Sequence, residues 1–385
     1  MASFKVGDLA PEETPVPEDK GFLELCRLTD KVIAKTRGFA PPAYFVKLAL
    51  IVGSTWALET SMLLRGATIP QATALGVLYA WIGLNIQHDA NHGSISRKPW
   101  VNRMLGLFQD YIGGSSILWV QEHVVLHHLH TNDAQLDPDI DGQGMVRLNP
   151  ADTRYAWHSL QHIVVPVGEA MFAWKIVFLD FFEQLTWKFG GHAISELARA
   201  PYYWAGVGLK MCFYARFMVL PLYFAPTLHT CACIAATTMM TSLYLAFFFA
   251  ISHNFEGVKF VGEEVGGIAR DDSFMKRQAE TSSNVCGPAL ALINGGLNYQ
   301  IEHHLFPRVH HSYYPKLAPH VRPFLEARGI TYKHYPTLAE NFVSFVKHLY
   351  MMGHSHPPHQ QSEWAKGVRD EFNELAANAS ALKQD

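Results

Sequence analysis

The sequence predicts an all-α integral membrane protein, in which four transmembrane helices form two hairpins beneath a cytosolic helical cap. The 385 residues are 49% hydrophobic and only 17% charged, a composition that is rich in apolar residues for a soluble protein. Four segments approach the length of about 20 apolar residues that a spanning helix requires. These predicted spans cover residues 43–64, 68–87, 203–226 and 229–252.

Very short connections join the spans in pairs, so each pair is expected to form a hairpin that begins and ends on one side of the membrane. Arg65 is the only basic residue between the first two spans, whereas basic residues flank that pair on both sides. Positive charge marks the cytosolic side of a membrane protein. We therefore expect the open ends of both hairpins to face the cytosol.

This pattern divides the chain into a cytosolic N-terminal segment (1–42), a membrane domain (43–350) and a cytosolic tail (351–385). The first 20 residues are acidic and contain several prolines, which is typical of neither a secretory signal nor a transit peptide. A net charge of −3 without a basic stripe argues against a nucleic-acid partner. Five cysteines without a Cys-x-x-Cys pair predict no disulfide framework.

Histidines cluster at the polar ends of these apolar segments. His88 and His92 follow the second span, and their spacing of four residues places them on one helix face. His123 and His127 repeat that spacing. His128 lies about 100° further around the same helix, where it could reach a second metal ion.

A third cluster contains Gln300, His303 and His304, and His253 follows the fourth span on the same side of the membrane. The predicted topology thus brings eight histidines together, more than one tetrahedral zinc ion needs. Two metal ions with open coordination positions fit better, and iron that activates dioxygen is the natural candidate. Gln300 could coordinate a metal, bind a water molecule or orient its neighbours.

Polar residues near the clusters are expected to hold ligating imidazoles in place rather than to bind metal themselves. His158 and His162 share a helix face, and they could serve this purpose or belong only to the cap. The residues predicted for this supporting role are Asp89, Asn132, His158, His162 and Glu302, with Glu122, Asp137 and Asp139 close by.

Three segments resemble the histidine boxes of membrane fatty acyl desaturases. They are His88-Asp-Ala-Asn-His92-Gly, His127-His128-Leu-His130-Thr-Asn132 and the run from Gly295 to Pro307 that contains Gln300-Ile-Glu-His303-His304. The resemblance covers about residues 43–350. Gln300 at the head of the third box is similar to front-end desaturases, which insert a double bond between an existing one and the carboxyl end of the acyl chain.

The resemblance implies an O2-dependent oxidoreductase that introduces a cis double bond into a long-chain acyl group carried on CoA or a glycerolipid. A di-iron centre would be held by His88, His92, His123, His127, His128, His253, His303 and His304. Many eukaryotic front-end enzymes carry a fused cytochrome b5 domain with a His-Pro-Gly-Gly motif, which this sequence lacks. We therefore expect electrons from a separate cytochrome b5 and its NADH-dependent reductase in the endoplasmic reticulum membrane, or from ferredoxin.

Three other functions compete with desaturation. A membrane di-iron hydroxylase uses a similar histidine set, but the residue Gln300 favours desaturation. A zinc hydrolase needs only about three histidines and a water molecule. A lipid-binding protein without activity would have lost some of the ligands, and none is lost.

Selecting one methylene among many similar ones requires a shaped apolar tunnel. Aromatic residues on the spans are candidates for its walls, although such residues more often face lipid: Tyr79, Trp81, Tyr244, Phe247, Phe248 and Phe249. The stretches 104–120 and 171–182 are expected to lie in the membrane interface. His310 and His311 are expected on the protein surface.

Overall fold

The protein is mostly helical in the computed structural model, which describes residues 19–186, 188–189, 192–194 and 202–355. Within these residues, five helices are long and apolar enough to cross a membrane. Four of them coincide with the predicted spans: Pro42–Arg65, Ile69–Asn91, Tyr203–Phe224 and Leu228–His253. The predicted terminal segments 1–42 and 351–385 lie partly outside the described residues.

The fifth long helix, Ala156–Thr186, is where sequence and structure differ. The stretch 171–182 alone is too short to cross a membrane, but in the structure it belongs to a helix of 31 residues. Pro166 lies inside this helix, and a 3-10 turn (Glu169–Met171) and a π turn (Lys175–Leu179) interrupt its α-helical geometry. Because no single helical period runs through the segment, the sequence pattern does not reveal its full length.

The helices Ile69–Asn91 and Leu228–His253 pack with their backbones in close contact. A Cβ atom on Gly76 would lie 2.5 Å from the carbonyl oxygen of Thr237. The hydroxyl of Thr237 donates to the carbonyl of Ala72 at 3.0 Å, and that of Thr241 donates to the carbonyl of Gly76 at 3.1 Å. Small residues and interhelical hydrogen bonds of this kind hold helices together in membranes.

A polar network lies among the apolar helices, and we call it the Glu59 network. The Arg216 guanidinium forms an ion pair with the Glu59 carboxylate and donates to the carbonyl oxygen of Tyr111. The hydroxyls of Tyr79 and Tyr111 donate to Glu59 at 2.6 Å and 3.3 Å. Tyr111, in the stretch 104–120 that is predicted to lie in the interface, thereby contacts two of the long apolar helices.

The turn that follows Tyr111 explains this close approach. Gly113 has φ +96°, and a Cβ atom there would lie 2.6 Å from the ring of Phe213. Only glycine combines that backbone conformation with so close a contact.

Shorter elements complete the described fold. Two short parallel strands, Ser283–Val285 and Lys333–Tyr335, pair with Asn284 opposite His334, and two antiparallel strands pair Lys188–Phe189 with His192–Ala193. The α-helices are Lys20–Ile33, Pro99–Gly106, Phe108–Tyr111, Ser116–Trp119, His128–His130, Phe274–Glu280, Pro288–Asn294, Gln300–Leu305, Tyr314–Glu326 and Leu338–His354, with a π-helix at Val120–His127. Short 3-10 helices lie at Pro138–Ile140, Glu263–Val265 and His311–Tyr313.

Candidate metal centre

Four helical segments bring the eight predicted histidines together. They are the end of Ile69–Asn91, the helical segment 116–130, the end of Leu228–His253, and Gln300–Leu305. All eight imidazoles are buried. Buried polar rings normally have a partner, which is either a hydrogen-bonding group or a metal ion.

The histidines form two adjoining groups. The first group contains His88, His92, His123 and His303, and the second contains His127, His253 and His304; within each group the potential ligand atoms all lie within 4.8 Å of one another. His128 lies between them, with its ring centre 4.7 Å from that of His92 and 4.3 Å from that of His304. This arrangement suits two metal positions.

The π-helix Val120–His127 affects how one helix contributes to both groups. His123 and His127 were expected to face one metal together, with His128 directed toward a second. In the structure His123 belongs to the first group and His127 to the second, although the two also approach each other near Asp139. A π-helix has a wider turn than an α-helix, so the α-helical spacing is not a reliable guide here.

Four of the histidines hold Nδ1 against a hydrogen-bond partner. The pairs are His127 with the Asp137 carboxylate, His253 with the Thr281 carbonyl, His303 with the Tyr314 hydroxyl and His304 with the Gln278 side chain, at 2.9 to 3.1 Å. An imidazole that donates through Nδ1 keeps a free lone pair on Nε2, which is the form that binds metal.

The Nε2 atoms point toward one another. His128 Nε2 lies 3.0 Å from His303 Nε2, and His253 Nε2 lies 3.1 Å from His304 Nε2. Two nitrogens each about 2.1 Å from a shared metal, at a right angle, would be separated by roughly 3 Å. Within the described residues, both ring nitrogens of His88 and the Nε2 atoms of His92 and His123 have no hydrogen-bond partner. The donor set therefore fits metal binding.

Electrostatics keep most of these rings neutral. Burial, followed by repulsion between neighbouring rings, holds the pKa well below the usual value for His92, His123, His128, His303 and His304. His127 differs, because burial lowers its pKa but Asp137 and Asp139 together raise it to about 9. Neutral imidazoles are the form that coordinates a cation.

Three of the predicted supporting residues lie against the site. The Asn132 side chain, in a left-handed backbone conformation, donates to the carbonyl of His253 at 3.1 Å. The Glu302 carboxylate accepts hydrogen bonds from Asn284 at 2.7 Å and Tyr332 at 2.8 Å. These bonds attach the helix of the third histidine cluster to the parallel strands and to the residue that precedes the second strand.

Asp89 has an unexpected partner. Its carboxylate lies 2.5 Å from Nδ1 of His311 and 3.6 Å from Nε2 of His310. Both histidines are buried, so the expectation that they lie on the surface is wrong. Lys47 Nζ lies 3.4 Å from the other nitrogen of His311, which ties the first span to the end of the second.

The structure does not bring His158 and His162 into the cluster. His158 approaches the carbonyl of Gly144 at 3.0 Å, and the His162 ring packs edge-on against Tyr350. His158 thus contacts the loop that contains Gly144, and His162 contacts the helix Leu338–His354, to which Tyr350 belongs.

Gln300 lies at the second group. Its side-chain nitrogen is 2.8 Å from His253 Nε2 and 3.3 Å from His304 Nε2, while its side-chain oxygen is buried with no hydrogen-bond partner among the described residues. Amide nitrogen and oxygen are exchanged by a rotation of half a turn. That rotation would direct an oxygen toward the two imidazole lone pairs.

Three further residues contact the histidine groups and were not predicted from the sequence: Gln278, Tyr314 and Trp119. The Trp119 ring packs on His123 with a centroid distance of 4.5 Å. Each of the three is a single residue without a motif, so no local signal could have found it. Among the aromatic residues proposed for a tunnel, Phe249 lies near His123, with 6.1 Å between the ring centroids. The indole of Trp81 instead donates to the Tyr244 hydroxyl. Tyr79 belongs to the Glu59 network.

Comparison with known proteins identifies the family. The family profile described as "Fatty acid desaturase" matches residues 67–336. The chain belongs to the fatty acid desaturase family. The predictions of a membrane desaturase and of a metal-binding oxidoreductase are thereby confirmed, and the hydroxylase alternative gains no support.

Curated relatives extend over most of this desaturase. "Acyl-lipid (7-3)-desaturase" of Rebecca salina is 56% identical over 92% of this chain and 79% of its own length. The protein of the same name in Diacronema lutheri is 51% identical over the same shares. A relative in Chlamydomonas reinhardtii, "Acyl-lipid (7-3)-desaturase, chloroplastic", is 34% identical over 72% of this chain and 55% of its own length.

Proposed function

We propose that this desaturase acts on an acyl chain esterified in a glycerolipid and introduces a cis double bond with front-end, (7-3) regiochemistry. Two relatives above half identity carry the name acyl-lipid (7-3)-desaturase. We interpret (7-3) as placing the new bond three carbons nearer the carboxyl end than an existing bond at carbon 7.

The observation that carries the proposal is the pair of adjoining histidine groups, with free lone pairs directed inward. We propose that His88, His92, His123 and His303 hold one iron ion, that His127, His253 and His304 hold the other, and that His128 lies between them. Gln300 would complete the second position through its oxygen. When bound, two iron ions supply an O2-dependent capacity to remove hydrogen atoms from methylene groups, which no acid or base side chain provides.

The surrounding side chains position and protect this chemistry. Asp137, Thr281, Tyr314 and Gln278 fix the ring orientation of four ligands through Nδ1. Partners of this kind raise the basicity of the ligand and lock its tautomer. Asp89, Asn132 and Glu302 would act one step further out, by holding the segments that carry the ligands.

We propose that four of the five long helices cross the membrane, as two hairpins with the metal centre on the cytosolic side. The rings of His127 and His253 lie 4.7 Å apart, so the chain must cross the membrane an even number of times between them. The short turn between Tyr203–Phe224 and Leu228–His253 makes those two helices a pair. Ala156–Thr186 would then lie along the interface, where its exposed apolar side chains can meet lipid.

The reaction also requires electrons from another protein. We propose a separate cytochrome b5 with its NADH-dependent reductase, with the enzyme in the endoplasmic reticulum membrane and both termini in the cytosol. Ferredoxin is the alternative donor, and the chloroplastic relative provides the reason to test it.

Expression in yeast tests the proposal. Cells would receive polyunsaturated acids of different chain lengths, with and without a double bond at carbon 7, and their lipids would be separated by class before gas chromatography with mass spectrometry. We expect a new bond at carbon 4, found in glycerolipids and only in substrates that already have the bond at carbon 7. Products with the bond elsewhere, or found first as CoA thioesters, would contradict the assignment.

A further inference from the structure

Lys175 is the only lysine or arginine in the sequence of the helix Ala156–Thr186. It begins the π turn Lys175–Leu179, and its side chain is 40% exposed. Single π turns inside α-helices occur frequently at functional sites. A partly exposed lysine in so apolar a helix is therefore a candidate for a functional role.

The contacts of Lys175 lead to the metal centre. Its ammonium nitrogen lies 3.6 Å from Glu122 and 3.3 Å from Asp180. Glu122 directly precedes His123, and both Glu122 and Lys175 belong to π turns that face each other through this ion pair. Asp139, in the 3-10 helix Pro138–Ile140, lies 3.3 Å from Nδ1 of His127. The ammonium thus pairs with the residue that directly precedes a histidine of the first group.

Front-end regiochemistry places a specific demand on this region. The enzyme counts carbons from the carboxyl end, so the carbonyl of the bound acyl group must lie only a few bonds from the reacting methylenes. A carbonyl oxygen is a hydrogen-bond acceptor, and an ammonium group donates strongly to it. The ester groups of glycerolipids lie between the headgroups and the acyl chains, at the depth that an interfacial helix occupies.

The charges around Lys175 favour an uncharged ester over a polyphosphate carrier. Glu122 and Asp139 are 28% and 34% exposed, and Asp180 lies on the other side of the ammonium. Lys210 is fully buried and so does not present its charge to a ligand. With two partly exposed carboxylates beside it, Lys175 does not present an isolated positive charge to the phosphates of CoA.

We propose that Lys175 binds the carbonyl oxygen of the acyl ester of a glycerolipid and so determines which methylene pair reaches the metal centre. This role rests on the proposed function, since it explains how a desaturase measures from the carboxyl end. Lys175 is a specificity-determining residue in this assignment and does not ligate metal.

The experiment compares Lys175→Met, Lys175→Arg and the matched control Lys347→Met in iron-loaded enzyme. Lys347 is an exposed lysine that pairs with Glu256 at 3.1 Å. Substrates would be one acyl chain supplied as phosphatidylcholine in vesicles and as a CoA thioester. Readouts would be KM, kcat, iron content and the position of the new double bond.

We expect Lys175→Met to raise KM for the lipid substrate about tenfold to a hundredfold, the effect of losing a hydrogen bond to a charged group. The fraction of product with a displaced double bond should rise, while iron content stays unchanged. Lys175→Arg should restore the natural position, Lys347→Met should match the wild type, and the wild type should prefer phosphatidylcholine to the CoA thioester.

Unchanged KM and bond position in Lys175→Met would overturn the inference, provided that the wild type makes the expected product. If the wild type makes none, the proposed function itself fails. Should Lys175→Met fold poorly, the double variant Lys175→Met/Asp180→Asn removes the nearer of the two carboxylates that this substitution leaves without the ammonium. Full recovery of the natural bond position in that double variant would show a structural ion pair and contradict carbonyl binding.

Discussion

The histidine groups and the Glu59 network are both polar clusters among buried helices, but they differ in how their polar atoms are satisfied. In the Glu59 network, Arg216, Tyr79 and Tyr111 each donate a hydrogen bond to the Glu59 carboxylate, and only Nε of Arg216 is buried there without a partner among the described residues. Among the histidines, free lone pairs face one another, and several ring nitrogens have no hydrogen-bond partner in the described part of the chain. Donors largely match acceptors around Glu59, whereas the inward lone pairs of the histidines fit a bound cation.

Removing one inward lone pair should have the largest effect. We expect His303→Ala to lower desaturation by at least about 100-fold, since even outer partners of ligands contribute 10–100-fold, and to reduce bound iron. His320→Ala, at an exposed position, is the control and should retain both. The measurements are the conversion of a fed substrate and the iron content by mass spectrometry. Full iron occupancy in His303→Ala would contradict the assignment of the inward lone pairs to metal binding.

Disrupting the Glu59 network should lower the stability of the fold and leave the iron content unchanged. Arg216→Met leaves the Glu59 carboxylate without its cation, and because the two side chains are 21% and 18% exposed, we expect a cost below the about 3–5 kcal/mol of a fully buried pair. The double variant Glu59→Gln/Arg216→Met removes both charges and should recover much of this loss. Thermal unfolding in detergent measures the stability, and a loss of iron at unchanged stability would show that the two clusters are coupled.

A finer test uses two neighbouring tyrosines. Tyr314→Phe removes the hydroxyl beside Nδ1 of His303, and we expect activity to fall about 10-fold to 100-fold through loss of ligand orientation. Tyr313→Phe is the matched control, because the buried Tyr313 hydroxyl has no hydrogen-bond partner within the described residues. Equal activity of the two variants would remove Tyr314 from the support of the metal centre.

The smallest effect should come from the packing that aligns the two clusters. Gly76→Ala places a methyl group 2.5 Å from the carbonyl oxygen of Thr237, and overpacking of this kind costs about 1–3 kcal/mol. Gly53→Ala, where no atom lies within 4 Å of the new Cβ, should leave the unfolding temperature nearly unchanged. Identical unfolding temperatures for the two variants would show that the helices Ile69–Asn91 and Leu228–His253 can move apart without loss of stability.

The sequence predicted most of the site because the ligands occur in short clusters at the ends of apolar segments. Long apolar runs and four-residue spacings are local signals, and the structure brings His88, His123, His253 and His303 together as expected. The partners Gln278 and Tyr314 carry no such signal, since each is one polar residue in an ordinary helix. The contact between Asp89 and His311 joins residues 222 positions apart, and a sequence without aligned relatives cannot show it.

The fold was harder to predict where helical geometry changes along a segment. The π and 3-10 turns in Ala156–Thr186 change the helical period, so the pattern of apolar residues suggested a shorter element. The contacts of the segment around Tyr111 were hard to predict for a different reason. Its polar groups find partners on other helices, and such long-range contacts leave no local signal in the sequence.

The two parallel strands have a consequence for the order of biosynthesis. Glu302 is anchored by Asn284 in the first strand and by Tyr332, which directly precedes the second strand, Lys333–Tyr335. The four long helices Pro42–Arg65, Ile69–Asn91, Tyr203–Phe224 and Leu228–His253 all precede residue 254 in the chain. The third histidine cluster gains its Tyr332 anchor only when residue 332 has emerged from the ribosome, so this anchor forms after those helices have been synthesised.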